Sequence, residues 1–168
     1  GEFFQNNPFV LPLLVEHVVQ QSKTDEISLL VDAYCGGGLF GLSAASRFKK
    51  IVGIEISREG FEGARTNARI NQIDNAQFFL GDASSIFDEL KGISEPAALV
   101  IDPPRRGCDP DFLRQAIEFG PKRIVYVSCE PATQARDSQI LLEAGYQPIL
   151  AQPFDLFPQT RHVENVLT

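Results

Sequence analysis

A glycine-rich segment follows the first apolar run of the sequence. Gly36, Gly38 and Gly41 fit the G-x-G-x-x-G spacing, and Glu55 stands about 20 residues further along, at the end of the next apolar run. Glycine allows the backbone to turn tightly and approach a ligand, and an acidic residue at the second strand end suits a ribose hydroxyl. The pattern predicts a binding site for a nucleoside cofactor. Its alternative is a tight strand–helix turn without a ligand.

Acidic residues stand at or near the ends of four successive predicted strands. They are Asp32, Glu55, Asp82 and Asp102. In an open α/β sheet, the carboxyl ends of the parallel strands meet at the crevice that binds ligands. Four carboxylates suit the cationic sulfonium of S-adenosylmethionine (SAM) better than the pyrophosphate of NAD, which binds at a helix N-terminus. We therefore predict SAM as the cofactor, with NAD as the alternative.

The fifth apolar run is followed directly by Cys129. A lone cysteine after an apolar strand is commonly inert core. A thiol just past the strand end would instead face the ligand crevice, where a thiolate can act as a nucleophile. Cys129 is therefore the candidate nucleophile. Cys108 is the rival candidate because it follows the loop of the fourth strand, and Cys35, inside the glycine turn, is predicted to be structural.

The fourth apolar run ends in Asp-Pro-Pro-Arg at residues 102–105. A rigid proline turn is one interpretation of this segment. Amino-group methyltransferases carry a related motif in which an aromatic residue follows the prolines and stacks on the base. Arg105 takes that place here, which argues against transfer to an exocyclic amine. Arg105 or Arg136 would serve to hold a phosphate or a developing negative charge, and a solvated surface position is the alternative for both.

Short runs rich in Val and Ile alternate with helical patterns, which predicts repeated strand–helix units around a parallel sheet. Only a short loop separates the last two predicted strands, so they should be antiparallel. We predict one α/β domain over residues 1–168, with helices on both faces of a mostly parallel sheet that ends in an antiparallel strand pair. The predicted strands are 29–34, 51–55, 77–80, 98–102, 124–128, 147–154 and 162–167, and the predicted helices are 8–21, 39–48, 58–71, 84–90, 110–119 and 133–144.

The composition excludes several classes of protein. The 168 residues are 43% hydrophobic and carry a formal net charge of −7, too apolar for a disordered chain and too acidic for a stand-alone nucleic-acid-binding module. No apolar run approaches the ~20 residues of a membrane helix, and the N-terminus is not typical of a signal peptide. Three scattered cysteines and two histidines indicate neither a disulfide framework nor a metal site. We expect a monomer in a reducing intracellular compartment: cytoplasm, nucleus or mitochondrion.

Five segments together resemble the RNA uracil-C5 methyltransferases, the TrmA/RumA group that includes the eukaryotic tRNA 5-methyluridine enzymes. The matching segments are residues 3–7, 32–38, 102–107, 126–137 and 155–164. Leu39 departs from the bacterial members, in which an asparagine often follows the glycines. The resemblance implies a Rossmann-like class I SAM-dependent methyltransferase fold. It also implies an N-terminal RNA-binding region that this sequence lacks, so we interpret the chain as a domain excised from a longer protein.

The resemblance further implies roles for individual residues. Cys129 falls on the nucleophile that adds to C6 of uracil, and Glu164 falls on the carboxylate that accepts the C5 proton. The positions that contact SAM correspond to Gln5, Tyr34, Glu55 and Asp102, and Asp82 falls near the adenine. Gly36 of the glycine turn is a further predicted cofactor-binding residue.

The function that follows from the resemblance is SAM-dependent C5-methylation of a uridine in RNA. The T-loop uridine of tRNA is the leading substrate, with 5-methyluridine as the product, and the RNA is expected to bind mainly through the missing region. Ribosomal RNA is the alternative substrate because the catalytic motifs are shared. An NAD-dependent oxidoreductase and a binding-only module that has kept the fold without chemistry are the alternatives from other classes.

Overall fold

The computed structural model describes residues 10–156 and 163–168, along which strands alternate with helices. The helices are α1 (Val10–Ser22), α2 (Leu39–Ala44), α3 (Arg58–Ile70), α4 (Ile86–Glu89), α5 (Pro110–Phe119) and α6 (Pro131–Glu143). The strands are β1 (Leu29–Ala33), β2 (Lys50–Glu55), β3 (Ala76–Leu80), β4 (Ala97–Ile101), β5 (Arg123–Ser128), β6 (Ala151–Phe154) and β7 (Glu164–Leu167). Short 3-10 turns follow α2 and precede α4. The predicted alternation of strands and helices is confirmed.

Seven strands form one sheet in the order β3-β2-β1-β4-β5-β7-β6. The strands from β1 to β5 pair in parallel, whereas β7 runs antiparallel to both β5 and β6. The predicted antiparallel finish is therefore confirmed, and the structure adds that β7 lies between β5 and β6. Strand β6 begins at Ala151, later than the predicted residue 147. The predicted start of β7, residue 162, lies outside the described residues.

Two of the strand and helix boundaries differ from the prediction for identifiable reasons. Strand β1 ends at Ala33 because Tyr34 adopts a left-handed φ of 59°, which an extended strand does not accommodate. Helix α6 begins at Pro131, before the predicted residue 133, because proline suits the first turn of a helix. The predicted start of α1 at residue 8 lies outside the described residues.

Helices cover both faces of the sheet because neighbouring strand residues point to opposite faces. Leu29 and Val31 of β1 pack in a core cluster with residues of α4, α5 and α6. Leu30, between them, packs in a second cluster with residues of α1 and α2. Every residue of β1 and β4 is buried, as expected for strands covered on both sides. None of the described helices has the length and apolar character needed to span a membrane.

One face of α6 connects β5, β7 and the loop after β4. The Gln134 side-chain amide donates to the carbonyls of Tyr126 and Asn165 at 3.0 Å each, and the Asn165 amide donates back to Gln134 at 3.0 Å. The Asp137 carboxylate is 1% exposed and accepts the Tyr126 hydroxyl at 2.6 Å and the Cys108 N–H at 2.7 Å. These contacts fix the strand ends and the loop to a single helix.

The Asp137 contacts lead to a stability prediction. Asp137→Ala is expected to lower the free energy of unfolding by about 3 kcal/mol, because two buried donors lose their acceptor. Urea denaturation followed by circular dichroism measures the change. The control is Asp88→Ala, which removes a surface carboxylate paired with Lys91 at 3.2 Å and should cost less than about 1 kcal/mol. Equal losses in the two variants would contradict the prediction.

Candidate active site

The reversed direction of β7 brings its first residue to the edge at which the parallel strands end. Ser128 is paired in register with Asn165, so the next residues outward, Cys129 and Glu164, lie beside each other at that edge. Asp102 directly follows β4, the strand on the other side of β5. The topology therefore brings together the predicted nucleophile, the predicted proton acceptor and one of the predicted cofactor carboxylates.

The glycine turn after β1 is built around the Glu55 carboxylate. Its Oε1 accepts a hydrogen bond from the Gly36 N–H at 3.0 Å, and its Oε2 accepts one from the Ser57 N–H at 2.6 Å. Gly36 has a φ of 53° and Tyr34 a φ of 59°, left-handed values that glycine adopts freely and tyrosine rarely. Each Glu55 oxygen retains a further lone pair, so the carboxylate is able to accept hydroxyl groups of a ligand as well.

Asp32 is fully buried beneath the first turn of α2. Its Oδ2 accepts the Gly41 N–H at 3.1 Å, whereas its Oδ1 has no hydrogen-bond partner within residues 10–156 and 163–168. A Cβ at position 41 would lie 2.9 Å from the Ile51 side chain, so glycine is required for this close approach. Burial raises the pKa of Asp32 to about 7. The Gly41 hydrogen bond opposes this rise, and the negative charge of Glu55 adds a smaller increase.

Two further carboxyl groups occupy the same edge. Glu164 is 8% exposed, and its Oε2 has no hydrogen-bond partner in the described part of the chain. Burial raises the pKa of Glu164, and the positive charge of Arg105 opposes that shift. Burial also raises the pKa of Asp102 well above its usual range, and the negative charges of Glu164 and Asp32 raise it further. The carboxyl groups therefore repel one another, and a positively charged ligand between them would relieve the repulsion.

Cys129 is partly exposed at this edge, and one hydroxyl holds the backbone on both sides of it. The Ser128 Oγ accepts a hydrogen bond from the Glu130 N–H at 2.9 Å and donates one to the Glu130 carbonyl at 3.1 Å. Burial raises the pKa of the Cys129 thiol, the charge of Glu164 raises it further, and Arg105 lowers it. The thiol is therefore protonated at neutral pH until a positive charge or a base activates it.

The other two cysteines lie in different surroundings. Cys108 is 4% exposed, and burial raises its pKa to about 12. Cys35 is 7% exposed and packs against Ala64 and Phe78, and burial raises its pKa well above the ordinary value. Both environments are those of structural cysteines. Accessibility therefore favours Cys129 over its rival Cys108 as the nucleophile.

A crevice of about 180 Å³ opens beyond the ends of β1 and β2. Three predicted cofactor residues, Tyr34, Glu55 and Asp82, line this crevice, and Asp82 is exposed. The Tyr34 ring packs edge-on against Phe112 with 5.4 Å between the ring centroids. Ile56, also in the lining, is 69% exposed. It was not predicted, although an apolar residue directly after the acidic strand end was a signal available in the sequence.

A larger concavity of about 510 Å³ lies at the opposite edge of the sheet, near the starts of β1 and β2. Lys49 and Glu95 border it and form an ion pair at 3.7 Å. Of the predicted site residues that the structure describes, none lines this concavity. We therefore place the candidate active site at the carboxyl edge. Gln5, predicted as a cofactor contact, lies outside the described residues.

The two candidate anion-binding arginines have different surroundings. Arg136 donates to the Arg106 carbonyl at 2.7 Å and to the Asp137 carboxylate at 3.1 and 3.2 Å. Arg105 follows the two prolines after β4, and its charge lowers the pKa of Cys129. The charge of Arg105 therefore influences Cys129, whereas Arg136 holds the loop that carries Arg105.

The whole sequence, residues 1–168, matches the family described as tRNA (Uracil-5-)-methyltransferase. The chain belongs to this family. A tRNA (uracil(54)-C(5))-methyltransferase of Schizosaccharomyces pombe is 42% identical over 179 residues, which cover 100% of this chain and 34% of that protein. An uncharacterized RNA methyltransferase of Oceanobacillus iheyensis is 44% identical over 166 residues, 98% of this chain and 36% of that protein. The chain thus spans about a third of the length of these curated relatives.

A solved structure illustrates similarity in both sequence and fold. It is the Pyrococcus abyssi tRNA (uracil-54, C5)-methyltransferase in complex with S-adenosyl-L-homocysteine, with a TM-score of 0.82 and 32% identity, covering 98% of this chain and 39% of that chain. The predicted Rossmann-like class I SAM-dependent methyltransferase fold is confirmed. The predicted resemblance to the RNA uracil-C5 methyltransferases is confirmed as well.

The burial of Asp32 leads to a pH prediction. The folded chain holds the Asp32 proton with a pKa of about 7, whereas the ordinary value is 3.8. Between about pH 4 and about pH 7 the folded state therefore binds more protons than the unfolded state, so this group makes the free energy of unfolding fall as the pH rises. Asp32→Asn should reduce the fall by on the order of 2–4 kcal/mol. Urea denaturation at about pH 5 and about pH 8 measures the difference.

The control for this prediction is Asp82→Asn, which removes an exposed carboxylate from the same crevice. Because this variant leaves the buried Asp32 carboxyl in place, it should keep the fall in the free energy of unfolding that Asp32 produces. An unchanged pH dependence in Asp32→Asn would show that the folded chain does not retain a proton on Asp32.

Proposed function

We propose that the protein carrying this chain transfers a methyl group from SAM to C5 of a uridine in RNA, through a covalent adduct between Cys129 and C6 of uracil. The observation that carries the proposal is the position of Cys129 beside Glu164, which the Ser128–Asn165 pairing of β5 and β7 produces. Membership in the family supports the same reaction. The proposed target is the T-loop uridine of tRNA and the product is 5-methyluridine, because the S. pombe relative is named for tRNA uracil-54.

The residues at the crevice offer groups of the chemistry that SAM requires. Glu55 has lone pairs for ribose hydroxyls, and the exposed Ile56 offers an apolar surface to a flat base. Tyr34 and Asp82 line the same crevice. Asp32 contributes a buried oxygen without a hydrogen-bond partner among residues 10–156 and 163–168, which favours an ammonium or sulfonium charge nearby. When bound, SAM supplies an electrophilic methyl group.

Three other predicted SAM contacts belong to the same proposal. Gly36 forms the turn over Glu55, Asp102 stands at the end of β4, and Gln5 stays a prediction outside the described residues. NAD fits this edge poorly, because the carboxylates would repel its pyrophosphate. Calorimetric titration with SAM and with NAD separates the methyltransferase from the oxidoreductase alternative.

The proposed chemistry begins at Cys129, because C5 of uracil is too weak a nucleophile to accept a methyl group unaided. Once the thiol has lost its proton, the sulfur forms a bond to C6 and places electron density on C5. After methylation, C5 carries both the new methyl group and its original hydrogen. Glu164 takes that hydrogen as a proton, the C5–C6 double bond re-forms, and the S–C6 bond breaks. Cys129 is then free for another cycle.

The electrostatic surroundings suit these two steps. A carboxylate accepts a proton more readily when its pKa is raised, and burial raises the pKa of Glu164. Addition of the sulfur moves negative charge towards the uracil O4, and a nearby positive charge lowers the energy of that state. Arg105 acts on both Cys129 and Glu164 and is the proposed source of this charge.

We also propose that regions of the protein beyond this chain bind most of the RNA. The curated relatives are about three times as long as the chain. Its net charge of −7 does not attract phosphate groups, whereas RNA affinity depends on clustered Lys and Arg. Ribosomal RNA is the alternative substrate. Incubating the full-length protein with labelled SAM and either unmodified tRNA or ribosomal RNA, then mapping the product, decides between the two.

Cys129→Ala is expected to abolish methyl transfer while SAM binding persists, because the variant lacks the sulfur that activates C5. Methyl transfer is followed with labelled SAM, and SAM affinity by calorimetry. The matched control is Cys108→Ala, which removes a buried thiol from the loop after β4 and should retain activity. Full activity in Cys129→Ala would contradict the proposal, and loss only in Cys108→Ala would assign the nucleophile to Cys108.

Glu164→Gln is expected to accumulate a covalent complex with RNA, because addition and methylation proceed while the C5 proton is not removed. Labelled RNA that migrates with the protein on a denaturing gel reveals the complex. Glu143→Gln, an exposed position on α6, is the control and should release its product normally. Lost turnover without a trapped complex would show that Glu164 is not the base.

A further inference from the structure

The loop after β4 carries Arg105 and is held from one side by α6. The Thr133 hydroxyl donates to the Arg105 carbonyl at 2.8 Å, and Asp137 accepts the Cys108 N–H at 2.7 Å. The loop packs closely here, since a Cβ at Gly107 would lie 3.1 Å from the Thr133 Cβ and 2.6 Å from an Asp137 oxygen. The backbone of the loop therefore has little room to shift while both contacts are in place.

We propose that Thr133 is a positioning residue for methyl transfer: its hydroxyl holds the Arg105 carbonyl and so fixes the Arg105 backbone at the edge of the sheet where Cys129 and Glu164 lie. The inference rests on the proposed function, because it gives Arg105 a task at Cys129. The topology supports it, since Arg105 follows β4, Cys129 follows the neighbouring β5, and Thr133 lies in the first turn of α6. This hydrogen bond joins the segment after the nucleophile to Arg105 itself, whereas Arg136 and Asp137 hold the neighbouring Arg106 and Cys108 backbone.

The Thr133 hydroxyl has a second acceptor within reach, the Glu130 carbonyl at 3.3 Å. That carbonyl already accepts the Gln134 N–H at 3.1 Å in the first turn of α6. A threonine that served only its own helix would have no reason to prefer an acceptor on another segment. The shorter bond to Arg105 therefore indicates a role in loop placement, and its partly exposed site means that water replaces the bond at low cost in stability.

The exposed bond allows a test that leaves the fold intact. Thr133→Val keeps the branched shape and removes the hydroxyl, whereas Thr133→Ser keeps the hydroxyl. With a freer Arg105, the pKa of the Cys129 thiol should rise, and we expect about threefold less thiolate near neutral pH. The rate of Cys129 alkylation by iodoacetamide, measured against pH with identification of the modified peptide by mass spectrometry, reports this fraction.

The expected results are about threefold slower alkylation at neutral pH in Thr133→Val and a rate within about 1.5-fold of the wild type in Thr133→Ser. Thr66→Val on α3 is the matched control and should leave the rate unchanged. Urea denaturation confirms that each variant is folded, and Thr133→Ala replaces Thr133→Val if the latter is not. An unchanged pH profile in the hydroxyl-free variant overturns the proposal.

A double-mutant cycle tests whether Thr133 acts through Arg105. Arg105→Gln should slow alkylation by itself, and adding Thr133→Val should then have no further effect. An equal loss in the Arg105→Gln background, or no effect of Arg105→Gln alone, overturns the proposal. Alkylation requires neither SAM nor RNA, so the outcome is separate from the test of methyl transfer. A wild-type protein that alkylates as expected but transfers no methyl group would refute the proposed function alone.

Discussion

Repulsion among carboxyl groups at the carboxyl edge of the sheet constrains everything else in the site. Burial raises the pKa of Asp32, Asp102 and Glu164, and the charges of Glu164 and Asp32 raise the pKa of Asp102 further. Each comes from a different strand, so folding itself assembles the repulsion, and burial of the apolar strands must offset it. Where such groups lack partners, a cationic ligand stabilises the folded chain by binding to it. A cationic ligand would therefore balance the negative charge at this edge.

The direction of β7 decides which chemistry accompanies that charge. A parallel seventh strand would begin at the opposite edge and take Glu164 with it. The antiparallel pairing instead places Glu164 next to Cys129, and both respond to Arg105 from the loop after the neighbouring strand. The carboxylates of β1 and β2 and the one that directly follows β4 therefore form the part of the edge that suits a cationic cofactor, while a thiol after β5 and a carboxyl group of β7 lie beside it. The two parts meet at Asp102.

The sequence was sufficient to predict the strands, because runs such as 98–102 and 124–128 are short and mostly apolar. It was also sufficient to predict the glycine turn and the acidic strand ends from their spacing. It was not sufficient to place Glu164 beside Cys129, because that contact depends on β7 inserting between β5 and β6. The resemblance to a known family supplied Glu164 instead. Asp137 and Thr133 were missed for a different reason, since a polar residue in an amphipathic helix predicts a solvated face unless its partner on another segment is known.

Helix α6 serves both the stability of the fold and the geometry of the site, and depth separates the two tasks. Asp137 is buried, so its hydrogen bonds to Tyr126 and Cys108 must be made, and their loss leaves donors without water. Thr133 is partly exposed, so water replaces its bond to Arg105 if the bond breaks. A buried contact therefore determines whether the loop folds against the sheet, and an exposed one determines how a folded loop orients its charge. Position along a single helix face is enough to divide these roles, because the face runs from the edge of the site at Thr133 into the core at Asp137.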